Sequence, residues 1–247
     1  MERLREYVKQ WNISLSDEQL MQFQTYYEML VETNKVMNLT AITELEDVIL
    51  KHFIDSIALV TAFPQIAKEK KMTMIDVGTG AGFPGIPLKI AFPQHQILLL
   101  DSLNKRVNFL NTVIDRLELC DISAVHARAE EGARNQLYRE KFDLCVSRAV
   151  ANMASLSEYC IPFLTKGGYF IPYKSGNIED EIESAKKAVA VLGGKIEHIS
   201  KLTLPGTLDG DASVPNIERS FVIVHKTKET PKAYPRKAGT ATKNPIQ

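Results

Sequence analysis

The stretch Asp76-Val77-Gly78-Thr79-Gly80-Ala81-Gly82 places one carboxylate ahead of three alternating glycines, at the end of the apolar run MTMIDV, residues 72–77. Glycines spaced this way allow positive φ and let a ligand come close to the backbone. Two ligand chemistries fit such a loop. Read from Gly80, the residues Gly80-Ala81-Gly82-Phe83-Pro84-Gly85 satisfy the dinucleotide pattern G-x-G-x-x-G. A pyrophosphate there needs helix-start N–H groups, but Pro84 and Pro87 remove two of them. Asp76 would also repel it. S-adenosylmethionine carries an ammonium and a sulfonium and no phosphate, so an acid at the strand end attracts it. Its pattern of an acid followed by three alternating glycines is matched in full by Asp76, Gly78, Gly80 and Gly82.

Asp101 ends the next apolar run, QILLLD, residues 96–101. A carboxylate there can accept hydrogen bonds from both ribose hydroxyls. Both cofactors carry that ribose, so Asp101 does not discriminate between them. Ala127-Arg128-Ala129-Glu130 follows a third run, at the edge where backbone amides and Glu130 can read an adenine. Arg148 follows a fourth run, FDLCVSRA, where a substrate-facing residue is expected. Its rigid donor fork suits phosphate, carboxylate or guanine O6 and N7. After that run there is no Asn-Pro-Pro-Tyr-like motif for methylating an exocyclic amine, and no Pro-Cys motif for attack on a pyrimidine. The three cysteines (Cys120, Cys145, Cys160) and five histidines are scattered without metal-ligand spacing, so buried free thiols are expected.

The elements that must hold these residues follow from periodicity. Ser16 with Gln19 forms a capping-box signature. Leu20, Phe23, Tyr26, Tyr27, Leu30 and Val31 then recur at helical spacing. Val48 to Phe63 predicts further helices, ended by Pro64. From 72 onward strands alternate with helices. Strands are expected at 72–77, 96–101, 122–127, 142–149 and 167–174, and in KIEHISKLTL and ERSFVIVHK. Helices are expected from Pro84 to Ala91, over 105–119, in EEGARNQLY, over 152–164 and in IEDEIESAKKAVAVLGG. The fold class is α/β, Rossmann-like, with a mostly parallel seven-stranded sheet behind an N-terminal helical extension. The expected divisions are 1–66 (helical extension), 67–228 (cofactor-binding domain) and 229–247 (basic, irregular tail). Ligands in such sheets bind at the carboxyl ends of the strands.

Composition bounds the class. Lys plus Arg equals Asp plus Glu at 30 each, but the end is basic: Lys226, Lys228, Lys232, Arg236, Lys237 and Lys243 face only Glu229. Such a tail suits a polyanion. No apolar stretch is long enough to span a bilayer, and the amphipathic start MERLREYVKQ has no signal-peptide core. A cytoplasmic protein is expected.

The combination of DVGTGAGFPGIPLKI, KHFIDSIAL (51–59), NLTAI (38–42), DSLNKR (101–106), RAEE (128–131), SRAVA (147–151) and YPRKAGT (234–240) resembles the ribosomal RNA small subunit methyltransferase G family, also called glucose-inhibited division protein B. The resemblance runs from about Ser14 to Ile246. It implies transfer of a methyl group from S-adenosylmethionine to guanine N7 in the decoding-region loop of small-subunit ribosomal RNA. It implies cofactor contacts at Gly78, Phe83, Ala129, Glu130 and Arg148, beside Asp76, Gly80, Gly82 and Asp101 of the loop reading. Lys51, His52, Arg236 and Lys237 become candidates for RNA contact, since phosphate neutralisation supplies most nonspecific affinity. Asp55 and Ser56 are alternatively read as caps of the following helix. The chain departs from the family pattern at Ala238 and Ala241, where proline is usual, and at Ala127, where an acid is common. Guanine N7 has a lone pair and no proton, so the reaction needs alignment and no general base. Arg148 is expected to orient the base or its phosphate, in a monomer. The competing readings are an NAD-dependent oxidoreductase, which lacks a downstream Tyr-x-x-x-Lys, an RNA-binding module without catalysis, and a methyltransferase of protein or small molecules.

Overall fold

The computed structural model describes residues 1–148, 151–176 and 178–246. Seven strands form one sheet among these residues: β1 (Thr73–Val77), β2 (Gln96–Asp101), β3 (Ile122–His126), β4 (Phe142–Ser147), β5 (Leu164–Ser175), β6 (Gly194–Leu204) and β7 (Ile217–Lys226). Their order is β3-β2-β1-β4-β5-β7-β6. β1 to β5 run parallel, and β7 is antiparallel to both of its neighbours. The order reverses between β1 and β4, which is where such sheets open a crevice. β1, β2 and β4 read as nearly continuous apolar runs because helices cover both of their faces.

The helices start and stop for local reasons. Ser16 caps the Asp17–Met37 helix: its hydroxyl accepts from the Gln19 N–H (3.1 Å), and the Gln19 side chain accepts from the Ser16 N–H (2.8 Å). The Gly85–Ala91 helix lies within one residue of its expected bounds, and the Asn104–Arg116 helix starts one residue early and stops three residues short of 119. The segment EEGARNQLY forms only one turn, Ala129–Gly132. The Asn135 side chain accepts from the Leu137 N–H (2.9 Å), a local bond that competes with helix continuation. The helix expected over 152–164 ends at Cys160 and tightens into a 3₁₀ turn over Ile161–Phe163, where Pro162 cannot continue it. Ala149, the last residue of the expected fourth strand, and Val150 of SRAVA lie outside the described residues. Cys145 and Cys160 are buried, whereas Cys120 is exposed.

The N-terminal helices share one hydrophobic cluster with a face of the sheet. Phe23, Tyr26 and Phe53 pack toward Phe83. Tyr26 donates its hydroxyl to the Ala81 carbonyl (2.6 Å), and Tyr173 donates to Ser56 (2.6 Å). Between Leu45–Val48 and Asp55–Ile57 the chain makes a π-helical turn, Ile49–Ile54. The opposite face of the sheet is covered by the Met153–Cys160 and Glu179–Val191 helices. The C-terminal segment crosses this side, with Tyr234 and Ile246 in the same cluster. It is irregular apart from a short helix, Thr240–Lys243.

Candidate active site

Asp76 ends β1 and is fully buried. Its Oδ2 accepts from the Thr79 hydroxyl (2.6 Å) and the Gly85 N–H (2.9 Å). Its Oδ1 is buried with no hydrogen-bond partner. Burial pushes the carboxyl up to about 6, opposed by the Thr79 and Gly85 bonds and by the charge of Arg148. A buried carboxylate with one unfilled oxygen fits a cationic partner and would resist an anion.

The glycine loop uses its own donors. The Gly78 and Thr79 N–H groups bond the Leu100 carbonyl (2.8 and 3.2 Å), and Gly80 N–H bonds Asp101 Oδ2 (2.9 Å). Gly82 and Phe83 N–H groups both bond the Thr79 carbonyl (2.9 Å each). At the start of the following helix, Gly85 donates to Asp76, Ile86 donates to the Gly82 carbonyl (2.8 Å), and Pro87 has no donor. No free N–H is left in that turn for a pyrophosphate, which removes the physical basis of the dinucleotide reading. Gly78, Gly80 and Gly82 all have positive φ. A Cβ at Gly80 would meet nothing within 4 Å, so the loop is open there. Gly85 is needed for space, because its Cβ would lie 2.2 Å from Leu99 Cδ2.

Two cavities open on the carboxyl edge of the sheet, on either side of the loop. The smaller, about 270 Å³, lies over β1, β2 and β3 and is walled by Val77, Gly78, Leu100, Ala129, Glu130 and Tyr159, among others. Of the expected cofactor residues, Gly78, Ala129 and Glu130 line it. Asp101 sits just beneath, between the lining residues Leu100 and Ser102. It accepts from Gly80 N–H and Leu103 N–H (2.9 Å each), with Arg106 at 3.5 Å. Glu130 Oε1 also accepts from the Gly239 N–H (2.9 Å), so the tail contributes to this pocket. Tyr159, Leu156, Gly239 and Thr242 complete its wall and were not anticipated from sequence.

The larger cavity, about 640 Å³, lies between the ends of β4, β5 and β7 and the N-terminal helices. Lys51, His52, Arg148, Lys174 and Arg219 line it. Arg148 donates to Asp55 Oδ2 (2.9 Å), to the Lys51 carbonyl (3.2 Å) and toward His52 Nδ1 (3.3 Å). Arg219 bonds the other oxygen of Asp55. The expected capping role of Asp55 and Ser56 is therefore corrected. Asp55 lies inside a helical run and joins two arginines, and Ser56 donates its hydroxyl to the His52 carbonyl (2.5 Å).

Phe83 stands apart from Gly78, Ala129 and Glu130. Its ring does not line the smaller pocket: it stacks on His52 (4.4 Å between centroids) and lies beneath the Arg148 guanidinium (4.9 Å). Its contribution is to hold Arg148 through a cation–π contact. His52 reaches the cleft but offers no charge to phosphate, since burial and the adjacent Arg148 lower its pKa to about 3. Lys51 pairs with Asp47 (2.7 Å), and Lys174 pairs with Glu181 (2.6 Å). Arg236 is remote from this cleft, and its guanidinium is engaged by Glu158. Lys237 is exposed.

The family model described as GidB, rRNA small subunit methyltransferase G, matches residues 19–207. A protein named Ribosomal RNA small subunit methyltransferase G from Lachnoclostridium phytofermentans is 55% identical over 234 residues, covering 95% of this chain and 92% of that one. One of the same name from Ligilactobacillus salivarius is 47% identical over 247 residues, covering 100% and 99%. Among solved structures, the YcgJ protein of Bacillus subtilis has a TM-score of 0.52 at 12% identity, covering 71% of this chain and 99% of that chain. M. jannaschii TYW2, solved in complex with AdoMet, has a TM-score of 0.50 at 14% identity, covering 68% and 75%. These structural likenesses concern the fold. With its glycine loop, split sheet edge and arginine-lined cleft, the chain belongs to the rRNA small subunit methyltransferase G (GidB) family.

Proposed function

We propose that this protein transfers a methyl group from S-adenosylmethionine to N7 of a guanine in the decoding-region loop of small-subunit ribosomal RNA. The observation that carries the cofactor side is the buried, unpartnered oxygen of Asp76, before a helix start whose N–H groups are already bonded within the protein. Relatives named Ribosomal RNA small subunit methyltransferase G, 55% and 47% identical over nearly their whole length, support ribosomal RNA as the substrate.

The bound cofactor supplies an electrophilic methyl group. Asp76 offers negative charge to its cationic end, and the backbone at Gly78 and Gly80 gives it room. Asp101, at the end of β2, and Glu130, in the helical turn after β3, would accept from the nucleoside hydroxyls and the base. Arg148 and Arg219 face the cleft as a pair fixed by Asp55, a geometry suited to a phosphate or to the O6 edge of guanine. The four cations Lys51, Arg148, Lys174 and Arg219 exceed their three partner carboxylates Asp47, Asp55 and Glu181, so the cleft keeps a net positive charge. The carboxylate on the cleft wall, Glu181, is paired with Lys174. The His52 imidazole, at about 3, is too weak, and the Tyr173 hydroxyl is pushed up by burial. That fits attack by a lone pair that carries no proton. We infer that it acts as a monomer in the cytoplasm, where small subunits are made.

The test is incubation with tritiated S-adenosylmethionine and small subunits from cells lacking this gene, followed by digestion and identification of the labelled base. Label in N7-methylguanine at one site is expected. Label in another base, or none in RNA while the cofactor still binds, would move the substrate elsewhere.

A further inference from the structure

The C-terminal segment, expected from sequence to be an irregular basic tail that grips RNA, is docked along the cofactor side of the sheet. Its central anchor is Arg236. The backbone N–H of Arg236 donates to Glu158 Oε1 (2.6 Å), Nε to both carboxylate oxygens (3.0 and 3.1 Å) and Nη2 to Oε2 (2.7 Å). Nη2 also donates to the Asn244 carbonyl (2.9 Å), folding the chain end back on itself. The Glu158 side chain is only 1% exposed. It sits on the Met153–Cys160 helix, the element that supplies Leu156 and Tyr159 to the smaller cavity.

Past the anchor, the segment meets the cavity at two points. The Gly239 N–H bonds Glu130 Oε1 (2.9 Å), and Thr242 Oγ1 meets the Tyr159 hydroxyl (2.7 Å). Gly239 and Thr242 both line the cavity. Between them the Ala241 carbonyl accepts from the Ser155 hydroxyl (2.8 Å). Before the anchor, Arg134 bonds the Pro235 carbonyl (2.9 Å), and Arg139 bonds the Tyr234 and Thr230 carbonyls (2.8 Å each).

We propose that this segment is a wall of the cofactor pocket, and that Arg236 and Glu158 are positioning residues that hold Gly239 and Thr242 against the nucleoside end of S-adenosylmethionine. The inference rests on the assignment of the smaller cavity to the cofactor. The physical reason is that most of the docking contacts are polar. A carboxylate buried as deeply as Glu158 is costly without its guanidinium, so losing Arg236 favours release of the segment. Release removes two lining residues and one partner of Glu130. Linkage is reciprocal: cofactor that binds only the docked form must favour docking. Lys237 and Lys243 remain exposed on the docked segment, so RNA contact there does not require it to leave.

The test measures S-adenosylmethionine affinity by calorimetry, and ribosomal RNA affinity separately, for the full chain and for Arg236→Ala, Glu158→Gln and a truncation after Lys237. If the docked fraction falls to about a tenth, the cofactor dissociation constant rises about tenfold. RNA affinity of Arg236→Ala is expected to stay near that of the parent protein. Trypsin cleavage after Lys237 is expected to slow when S-adenosylmethionine is added to the parent protein. Arg236→Lys, which keeps charge but loses the fork, is expected to fall between parent and Ala. The truncation keeps the ion pair but removes Gly239 and Thr242, so it reads the wall directly even if the single variants fold poorly. Unchanged cofactor affinity in the truncation would overturn the proposal, as would an Arg236→Ala defect confined to RNA. Asp101→Ala separates the premises: if it leaves cofactor affinity unchanged, the cavity assignment fails. If it weakens binding while the segment variants do not, only the wall fails.

Discussion

Removing Asp55 should reveal how the cleft is held. Asp55 is fully buried and accepts from Arg148 and Arg219, whose side chains are 18% and 19% exposed. In Asp55→Ala, two guanidiniums face each other without the charge that joins them. Removing one partner of a fully buried pair costs about 3–5 kcal/mol. Here each arginine keeps some water, and Arg148 retains the Lys51 carbonyl and His52, so about 2–3 kcal/mol is expected. Asp55→Asn retains an acceptor and should cost about half as much. Urea unfolding of the parent and both variants gives these values directly. Because Arg148 also loses its orientation, turnover on small subunits should fall further than stability at the assay temperature explains. The coupling is read by the cycle of Asp55→Ala and Arg148→Ala, expected at about 1 kcal/mol or more for groups in direct contact. A coupling of zero within error, or an Asp55→Ala protein with parental stability and turnover, would refute the reasoning.

Three further outcomes follow from the loop. The Asp76 carboxyl, raised from 3.8 to about 6, is ionised only above that value in the free protein. S-adenosylmethionine affinity should therefore fall as pH drops through about 6, by about tenfold per unit below it. The same shift means that the free protein has the full stabilising contribution of protonated Asp76 below its ordinary value and loses it as pH rises through about 6. Calorimetric titration from pH 5 to 8 checks the affinity, and a flat profile sinks the assignment. Gly85→Ala drives a methyl group toward Leu99 (2.2 Å) and Asp76 Oδ2 (2.9 Å), and should lower stability by about 1–3 kcal/mol together with cofactor affinity. Gly80→Ala meets no atom within 4 Å but must hold φ +62°, so about 1–2 kcal/mol of backbone strain is its main cost. Thermal unfolding with and without cofactor separates the two.

The sheet was legible because its central strands are apolar on both faces and its loops carry glycine or a strand-end acid. The Ser16 cap was legible for the same local reason. What could not be read was pairing across distance. Arg219 stands at the beginning of ERSFVIVHK, which gives no hint of a cleft. Only the antiparallel direction of β7 brings that beginning to the carboxyl edge, where Arg219 pairs in register with Ser175 at the end of β5. Asp55 looked like a cap because an acid beside a serine in a helical region is a common capping signal. Its role depends on Arg148 and Arg219, 93 and 164 residues away. Arg236 looked like an RNA contact because a basic tail is usually solvated, and nothing local marks Glu158 as its buried partner. Phe83 sits in the loop sequence, yet the N-terminal helices draw its ring away from the pocket.

The π-helical turn over Ile49–Ile54 has a consequence for how this region tolerates change in length. A π turn holds one residue more than an α turn, and each helical residue advances about 100° around the axis. With that extra residue, Lys51 and His52 reach the cleft while Phe53 points to the core and Asp55 meets both arginines. Deleting one residue here would let the turn relax to regular winding with the flanking helices still in phase, but the residues within the turn, Lys51, His52 and Phe53, would shift around the axis. Side chains of the right type would then face the wrong way. Substitutions can be absorbed in this stretch when size and charge are kept, but a change of a single residue in length cannot, so descendants of this gene should vary in letters here and not in count.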